Sequence, residues 1–333
     1  MRLQGRQLRH VPLSDMIPYL RSLPPRDASA LEGACEYWIM ATTAQQATDL
    51  RETLGKLGIW MPPMAALGLD PADYGRQIES AGFRSVWFPG VNNVKAMDAI
   101  EQVLAGTERL YVGSGIASIW HWDPADLAAR ADHLAAGYGD RFILGLGNSH
   151  APVVATLGQE YVKPYSKTVQ FLDALPATRA PIVLAALGPK MLDLSRDRTA
   201  GAHPYFSPSE HTAFARQALG PGSWLVPEIA VALQDGPEGA ASARAYAKFY
   251  LQLPNYTSNL KRFGFTDADI ADGGSDALIT TVTPHGPATS AARIREHLDA
   301  GADHVVVQLL GPGGKFAPGD LRALAGLVGD LLT

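Results

Sequence analysis

The sequence predicts an α/β fold, a (β/α)8 barrel with an insertion before its long seventh helix. From Leu57 onward, strand-like apolar runs alternate with helix-like patterns eight times over about 280 residues. Several helical patterns begin with Asp-Pro or Ser-Pro, which is typical of an N-cap followed by proline at the first helical position. The stretch from 235 to 285 is longer than one helix, and this length predicts the insertion.

The first four predicted strands read LGIWM, SVWFP, RLYVGSGI and RFILGLG, and the last two of them contain glycines near their ends. The next four read PIVLAAL, AGAHPYF, WLVPEIAVAL and DHVVVQLL. In order, the predicted strands span 57 to 61, 85 to 89, 109 to 116, 141 to 147, 181 to 187, 200 to 206, 224 to 233 and 303 to 310.

Helical patterns occupy the segments between these strands. Examples are DPADYGRQIESAGF after the first strand, DPADLAARADHLAAGYGD after the third and PATSAARIREHLDAGA before the eighth. An open, doubly wound sheet is the alternative fold. It is disfavoured because no strand leads into a G-x-G-x-x-G turn with an acidic residue about 20 positions later.

The first part of the chain has a different character. Residues 1–53 carry scattered charges, a Pro-Pro pair and no sustained period, so we predict a loosely structured N-terminal extension, followed by the barrel over 54–333. Met40 precedes a short polar stretch that runs into the first strand, which makes it a candidate natural start.

Composition excludes several classes of partner. The formal charge of −5 without a block of like charges argues against nucleic acid, and no apolar run approaches the ~20 residues that span a membrane. Cys35 is the single cysteine, which excludes an internal disulfide framework and multi-cysteine metal sites. This usage and the lack of a leader pattern predict a cytoplasmic protein. A homodimer is compatible with the sequence.

In such barrels the chemistry lies at the C-terminal ends of the strands. Glycines interrupt the third strand at Gly113-Ser114-Gly115, and glycine within a strand marks a bulge or a close approach. Strand four ends in GLGNSH (145–150), which offers an amide, a hydroxyl and the imidazole of His150. Strand five ends in AALGPK (185–190), where the first amides of a helix could hold a phosphate. Tight turns are the alternative explanation for these glycines.

Aromatic side chains near the predicted strand ends suggest a partly apolar substrate. The candidates for contacting it are Trp60, Trp87, Trp120 and Phe206, although packing would also explain them. His203 lies inside strand six and is either a core residue or a ligand. No HExxH or GxSxG motif and no carboxylate cluster is present, so we expect no metal site and no acyl-transfer chemistry.

The chain resembles a known enzyme family in four segments, taken together and in order: VGSGIASIWHWDP, RFILGLGNSHAP, PIVLAALGPKMLDLSRDRTAGAHPY and AARIREHLDAGADHVVVQLL. From about Leu54 to its end, the chain resembles the luciferase-like monooxygenase superfamily, in particular its branch of probable coenzyme F420-dependent oxidoreductases. The resemblance implies a barrel in which the deazaflavin ring lies in the mouth and a hydride passes to or from a substrate above it.

The resemblance also implies roles for particular residues. A non-prolyl cis peptide at Gly115–Ile116, together with Ser114, would support the ring. Gly147, Asn148 and Ser149 would border the ring or its side chain. The cradle for the phosphate end would consist of the backbone of Ala185, Ala186, Leu187, Gly188 and Pro189.

One position departs from the family pattern. Relatives often carry a glutamate, and more distant ones a histidine, after the second strand, whereas Gly90 follows Pro89 here. Hydride transfer to a carbonyl or activated alkene also needs a proton. His150 is our candidate donor, with Asn148 or a water molecule behind it.

Three functional hypotheses therefore follow. The first is an oxidoreductase that transfers a hydride between coenzyme F420 and a small, partly apolar substrate. The second is an FMN-dependent monooxygenase that works with a reductase partner. The third is a non-enzymatic or inactive flavin-binding homologue, which the glycine at position 90 would allow.

Overall fold

The computed structural model describes residues 42–62 and 67–332. The candidate start at Met40 and the single cysteine, Cys35, lie outside the described residues. Among the described residues, no helix is both long and apolar enough to cross a membrane.

The described strands form one parallel sheet, and all eight predicted strands are confirmed. The seventh predicted strand is divided in two, and a short additional strand follows the third. The strands are β1 (Leu57–Trp60), β2 (Ser85–Pro89), β3 (Tyr111–Gly115), β4 (Ala117–Ser118), β5 (Phe142–Gly147), β6 (Ile182–Leu184), β7 (Gly201–Ala202), β8 (Trp224–Leu225), β9 (Glu228–Ala232) and β10 (Val305–Leu310).

The seventh predicted strand closes the barrel, because its two parts pair with different neighbours. β8 pairs with β7 on one side, while β9 pairs with β10 on the other, and β10 in turn pairs with β1. Pro227 lies between β8 and β9 and has no amide hydrogen to donate to a neighbouring strand. Because β8 and β9 belong to one continuous segment, the hydrogen bonds run around the whole barrel. The predicted fold class is therefore confirmed.

Helices flank the sheet, and two of the predicted Asp-Pro starts are capped as expected. Asp70 and Asp123 each accept a hydrogen bond from a backbone amide of the first helical turn. The helices are α1 (42–54), α2 (Pro71–Ser80), α3 (Val94–Gly106), α4 (Pro124–Gly137), α5 (Ala151–Ala155), α6 (Pro164–Ala174), α7 (Pro189–Arg198), α8 (Ser209–Leu219), α9 (Gly236–Tyr250), α10 (Pro254–Arg262), α11 (Asp267–Ile270), α12 (Asp276–Val282), α13 (Pro287–Asp299) and α14 (Leu321–Leu327).

The predicted insertion consists of α9 to α12, and it precedes α13, the helix that returns to the barrel. Helix α9 of the insertion has 15 residues and is longer than α13, which has 13. The long helix of this region therefore belongs to the insertion itself.

The prediction of a loose extension is wrong for residues 42–53, because these residues form most of α1. Ala47, Leu50 and Leu54 recur at helical spacing and are buried. The side chain of Arg51 donates to Asp303 Oδ1 at 2.9 Å and to the carbonyl oxygen of Ser223. This apolar face was not recognised in the sequence because polar residues separate the three apolar positions. The domain boundary proposed at residue 54 falls within the helix.

Aromatic rings fill the interior of the barrel. The ring of Trp87 stacks on His203 with centroids 4.6 Å apart and on Trp224 at 6.1 Å. A Cβ atom at Gly113 would lie 2.5 Å from Trp87 Cδ2, and one at Gly115 would lie 2.2 Å from Trp60 Cζ3. The glycines that interrupt the third strand therefore make room for two indole rings.

Candidate active site

A cavity of about 590 Å³ opens at the C-terminal end of the barrel strands. Its volume lies within the range of typical small-molecule sites. The end of the barrel at which the chemistry was expected thus holds a cavity of suitable size.

Ten of the residues predicted from the sequence come together in the wall of this cavity. They come from the ends of four predicted strands and the loops that follow them. These residues are Trp60, Gly115, Ile116, Asn148, Ser149, His150, Ala185, Ala186, Leu187 and Gly188.

Three predicted cofactor residues do not line the cavity. The hydroxyl group of Ser114 is buried, accepts from the Gly145 amide at 2.8 Å and donates to the Gly145 carbonyl at 3.0 Å, so it joins two strands. A Cβ atom at Gly147 would lie 2.9 Å from the side chain of Ile116, which shows close packing just beneath the wall. Pro189 begins α7 and has no amide hydrogen for a phosphate.

Three of the four predicted substrate-contacting aromatic residues are also corrected. Trp87 is fully buried within the barrel. Trp120 stacks on Tyr161 at 5.5 Å, and it is Tyr161 that lines the cavity. Phe206 is 1% exposed and stacks on Tyr250 at 5.1 Å. Only Trp60 of the four reaches the cavity, because the direction of a ring depends on packing that strand position alone does not specify.

The peptide bond between Gly115 and Ile116 is cis, as the resemblance implies. The carbonyl oxygen of Ile116 accepts a hydrogen bond from the Val91 amide at 3.1 Å, which ties this wall to the segment after β2. Gly90 lines the cavity there with φ of 56°, a left-handed conformation that favours glycine over glutamate or histidine. The backbone is therefore consistent with the missing ionisable group at this position.

His150 lies in the cavity wall at the start of α5, and its ring is 5.6 Å from that of Tyr256. Burial lowers the pKa of His150 below its usual value, which favours the neutral imidazole near pH 7. The side chain of Asn148 donates to Thr168 Oγ1 at 2.9 Å. Asn148 is thus fixed by α6.

The cavity contains a set of hydrogen-bond donors, and two of them, Asn259 and Arg262, were not predicted from the sequence. Gly188 is the N-cap of α7, and from α10 come the buried Asn259 and the exposed Arg262. Arg262 Nη1 donates to Asn259 Oδ1 at 2.9 Å. Asn259 Nδ2 has no hydrogen-bond partner among the described residues. A cation, a helix N-terminus and a free amide donor in one cavity are suited to binding an anionic group.

A carboxyl group, Glu228, and the imidazole of His203 also line the cavity, and both are 3% exposed. Burial raises the pKa of Glu228 well above its usual range and lowers the pKa of His203 to about 4. Burial therefore favours the neutral form of both groups. The signal for Glu228 was available in the sequence, because it is the one charged residue in the apolar run WLVPEIAVAL.

Comparison with known proteins agrees with the resemblance. Residues 70–178 match the family model for luciferase-like monooxygenases. The fold is similar to that of a coenzyme F420-dependent tetrahydromethanopterin reductase from Methanopyrus kandleri (16% identity, TM-score 0.64), covering 84% of this chain and 99% of that one.

Two further solved structures share the fold. An F420-dependent secondary alcohol dehydrogenase in complex with an F420-acetone adduct has a TM-score of 0.63 at 13% identity, covering 83% of this chain and 99% of that one. The oxygenating constituent of 3,6-diketocamphane monooxygenase from Pseudomonas putida, in complex with FMN, has a TM-score of 0.59 at 13% identity, covering 84% and 97%. Enzymes of both cofactor classes thus have this fold.

Proposed function

We propose that this chain is an oxidoreductase that binds coenzyme F420 in the cavity and transfers a hydride between it and a small, partly apolar substrate. The observation that carries the proposal is one continuous cavity that contains both an apolar wall and a group of anion-binding donors. The wall is formed by Trp60 and the Gly115–Ile116 segment, and the donors belong to Gly188, Asn259 and Arg262. A tricyclic ring with a phosphorylated side chain requires both features.

The residues present fit such a cofactor. Asn259 Nδ2 is a buried donor without a partner among the described residues, and a Cβ atom at Gly188 would meet no other atom within 4 Å, which leaves its backbone accessible. Arg262 and Asn259 would hold the phosphate end, and the Gly115–Ile116 segment would support the ring. When bound, the cofactor supplies or accepts the hydride. The polypeptide would orient the substrate, exclude water and provide the proton.

An FMN-dependent monooxygenase that works with a reductase partner is the second candidate. It is favoured by the structural likeness to a monooxygenase in complex with FMN. The anion-binding donors would serve either cofactor, because both carry a phosphate.

Titration of the purified protein with F420 and with FMN, followed by fluorescence, tests the proposal. We expect F420 to bind more tightly. Arg262→Gln should weaken the affinity roughly 10- to 100-fold, because a charge-assisted hydrogen bond contributes about 1.5–3 kcal/mol. Gly188→Val should also weaken it, since a branched side chain would cover the backbone amides at the start of α7.

The control is Arg198→Gln, because Arg198 forms an ion pair with Asp173 on the outer surface. This substitution should leave the affinity unchanged. Tighter binding of FMN would favour the monooxygenase. If neither cofactor binds, the proposal fails.

A further inference from the structure

The carboxyl group of Glu228 has an unusual position in the cavity. Glu228 begins β9, is 3% exposed and lines the cavity. Its Oε1 atom has no hydrogen-bond partner among the described residues. A buried polar atom without a partner is costly, and such atoms are found where a ligand or a reaction requires them.

His203 presents an unprotonated ring nitrogen to this carboxyl group, without a hydrogen bond between them. Its Nδ1 atom is 2.7 Å from the carbonyl oxygen of Val226, and because a carbonyl accepts only, Nδ1 carries the hydrogen. Nε2 of the neutral ring therefore has a lone pair, and it lies 3.9 Å from Glu228 Oε2. Stacking on Trp87 at 4.6 Å holds the imidazole in this orientation. An acceptor in this position favours the acid form of Glu228.

The other groups around Glu228 are uncharged. Tyr246 and Tyr250 of α9, together with Tyr205 and Tyr256, all interact electrostatically with it. The hydroxyl group of Tyr246 donates to Gln308 Oε1 at 2.6 Å and also hydrogen-bonds to Tyr205. Arg262, the one cation that lines the described cavity, is hydrogen-bonded to Asn259. Burial raises the pKa of Glu228, and no cation of the described residues lies against the carboxyl group to offset this effect.

We propose that Glu228 is the proton donor of this cavity and that it serves a substrate group that is uncharged and accepts a hydrogen bond, such as a carbonyl. The inference rests on the proposed function. Glu228, on β9, would take the place of the acidic residue that is missing after β2. A carboxylate substrate would be disfavoured, because it would be buried beside the carboxyl group without a cation.

The chemistry balances for a carbonyl substrate and a reduced deazaflavin or flavin as the reductant. The carbonyl carbon accepts a hydride and forms a C–H bond, while the π electron pair of the C=O bond moves to oxygen. That oxygen takes the proton from Glu228 and becomes a hydroxyl group. The substrate is reduced by two electrons, and the carboxylate recovers a proton from the one released when the cofactor is oxidised. In the reverse direction Glu228 accepts the proton.

The protonation of Glu228 can be tested by stability alone. The unfolded chain releases this proton above about pH 4.5, whereas the folded chain retains it, so the wild type loses stability relative to Glu228→Gln as pH rises. We expect the Tm of Glu228→Gln minus that of the wild type to increase by several degrees from pH 5 to pH 8. A difference that stays flat or decreases would mean that the carboxyl group is ionised, which would overturn the proposal.

Asp269→Asn is the matched control. Asp269 lies outside the cavity, and its Oδ2 atom accepts from the Thr266 amide at 2.9 Å and from the Thr266 hydroxyl group at 2.6 Å; these contacts lower its pKa below the usual value. Its stabilising effect is present above about pH 4 and is lost as pH falls. The Tm difference for Asp269→Asn should therefore not increase between pH 5 and pH 8.

The donor role is tested with cyclohexanone labelled with ¹³C at the carbonyl as the probe. A hydrogen bond from Glu228 should lower the carbonyl stretching frequency of the bound ketone, and Glu228→Leu should remove this shift. The shift should persist in His150→Ala. Any of three results would overturn the proposal: an identical carbonyl band in the wild type and Glu228→Leu, loss of the shift in His150→Ala only, or no binding of the ketone.

Neither measurement uses the cofactor, so the proposal and the proposed function can fail separately. If a cofactor binds and turnover of a carbonyl substrate is found, Glu228→Gln should lower kcat by at least ~100-fold with a smaller change in KM. Full turnover in this variant would also overturn the proposal.

Discussion

Substitution of Gly113 by alanine should destabilise the protein by overpacking the barrel. The new methyl group would lie 2.5 Å from Trp87 Cδ2, 2.6 Å from Cε3 and 2.8 Å from Cε2. Carbon atoms in contact normally lie about 3.5–4.0 Å apart, so the indole or the strand must move by about 1 Å. Trp87 has little freedom to move, because it stacks on two rings and its Nε1 donates to Ser85 Oγ at 3.1 Å.

The magnitude follows from two opposing effects. Overpacking in a well-packed interior costs about 1–3 kcal/mol. Alanine also restricts the unfolded chain more than glycine, which offsets about 0.4–1 kcal/mol. We therefore expect Gly113→Ala to lower the free energy of unfolding by about 1–2 kcal/mol, or Tm by about 2–3 °C for a domain of this size.

Urea unfolding followed by tryptophan fluorescence and circular dichroism is the assay. Gly137→Ala is the control, because Gly137 ends α4 and a Cβ atom there meets nothing within 4 Å. This control should raise the free energy of unfolding by up to about 1 kcal/mol. In a Trp87→Leu background, the cost of Gly113→Ala should largely disappear. An equal cost in both backgrounds would refute the explanation from the indole contact.

Two further predictions concern two buried histidines and the cavity wall; the second histidine, His304, precedes β10, and its ring lies 5.7 Å from that of Trp224. Burial lowers the pKa of His203 and of His304 to about 4, so each group contributes stability that is fully present above about pH 6.5 and is lost as pH falls towards 4. Over this pH range the free energy of unfolding should decrease by up to about 3 kcal/mol for each group. His304→Gln should make the free energy of unfolding depend less steeply on pH. An unchanged pH dependence would contradict this explanation. Gly115→Ala should displace the partly exposed Trp60, whose Cζ3 would lie 2.2 Å from the new Cβ, at a smaller cost in stability than Gly113→Ala. Unchanged cofactor affinity in Gly115→Ala would indicate that Trp60 does not contact the cofactor.

Local sequence patterns determined the order of the barrel strands and the starts of several helices. The Asp-Pro pairs at positions 70 and 123 specify helix starts because the aspartate side chain caps the first amides and proline needs no hydrogen-bond partner. The third strand is more complex. The sequence indicated that another group approaches its glycines closely. The structure shows that the groups next to Gly113 and Gly115 are indole rings of β2 and β1.

The N-terminal helix could not be identified from its own sequence. Ala47, Leu50 and Leu54 form a narrow apolar face whose partners, including Trp224 and Val306, lie far away in the chain. A short helix is marginal in isolation, and its stability comes from the surface on which it packs. Only the folded barrel supplies that surface.

The sequence placed ten of the site residues in the cavity wall because the C-terminal ends of parallel barrel strands meet at one end of the barrel. It did not determine which aromatic rings reach the cavity, since packing directs Trp87 into the interior of the barrel and Phe206 against Tyr250 of the insertion. Nor did it identify Glu228. A carboxyl group acquires unusual chemistry from its burial and from the groups that face it, and His203 and the tyrosines of the insertion are brought to Glu228 only when the barrel closes.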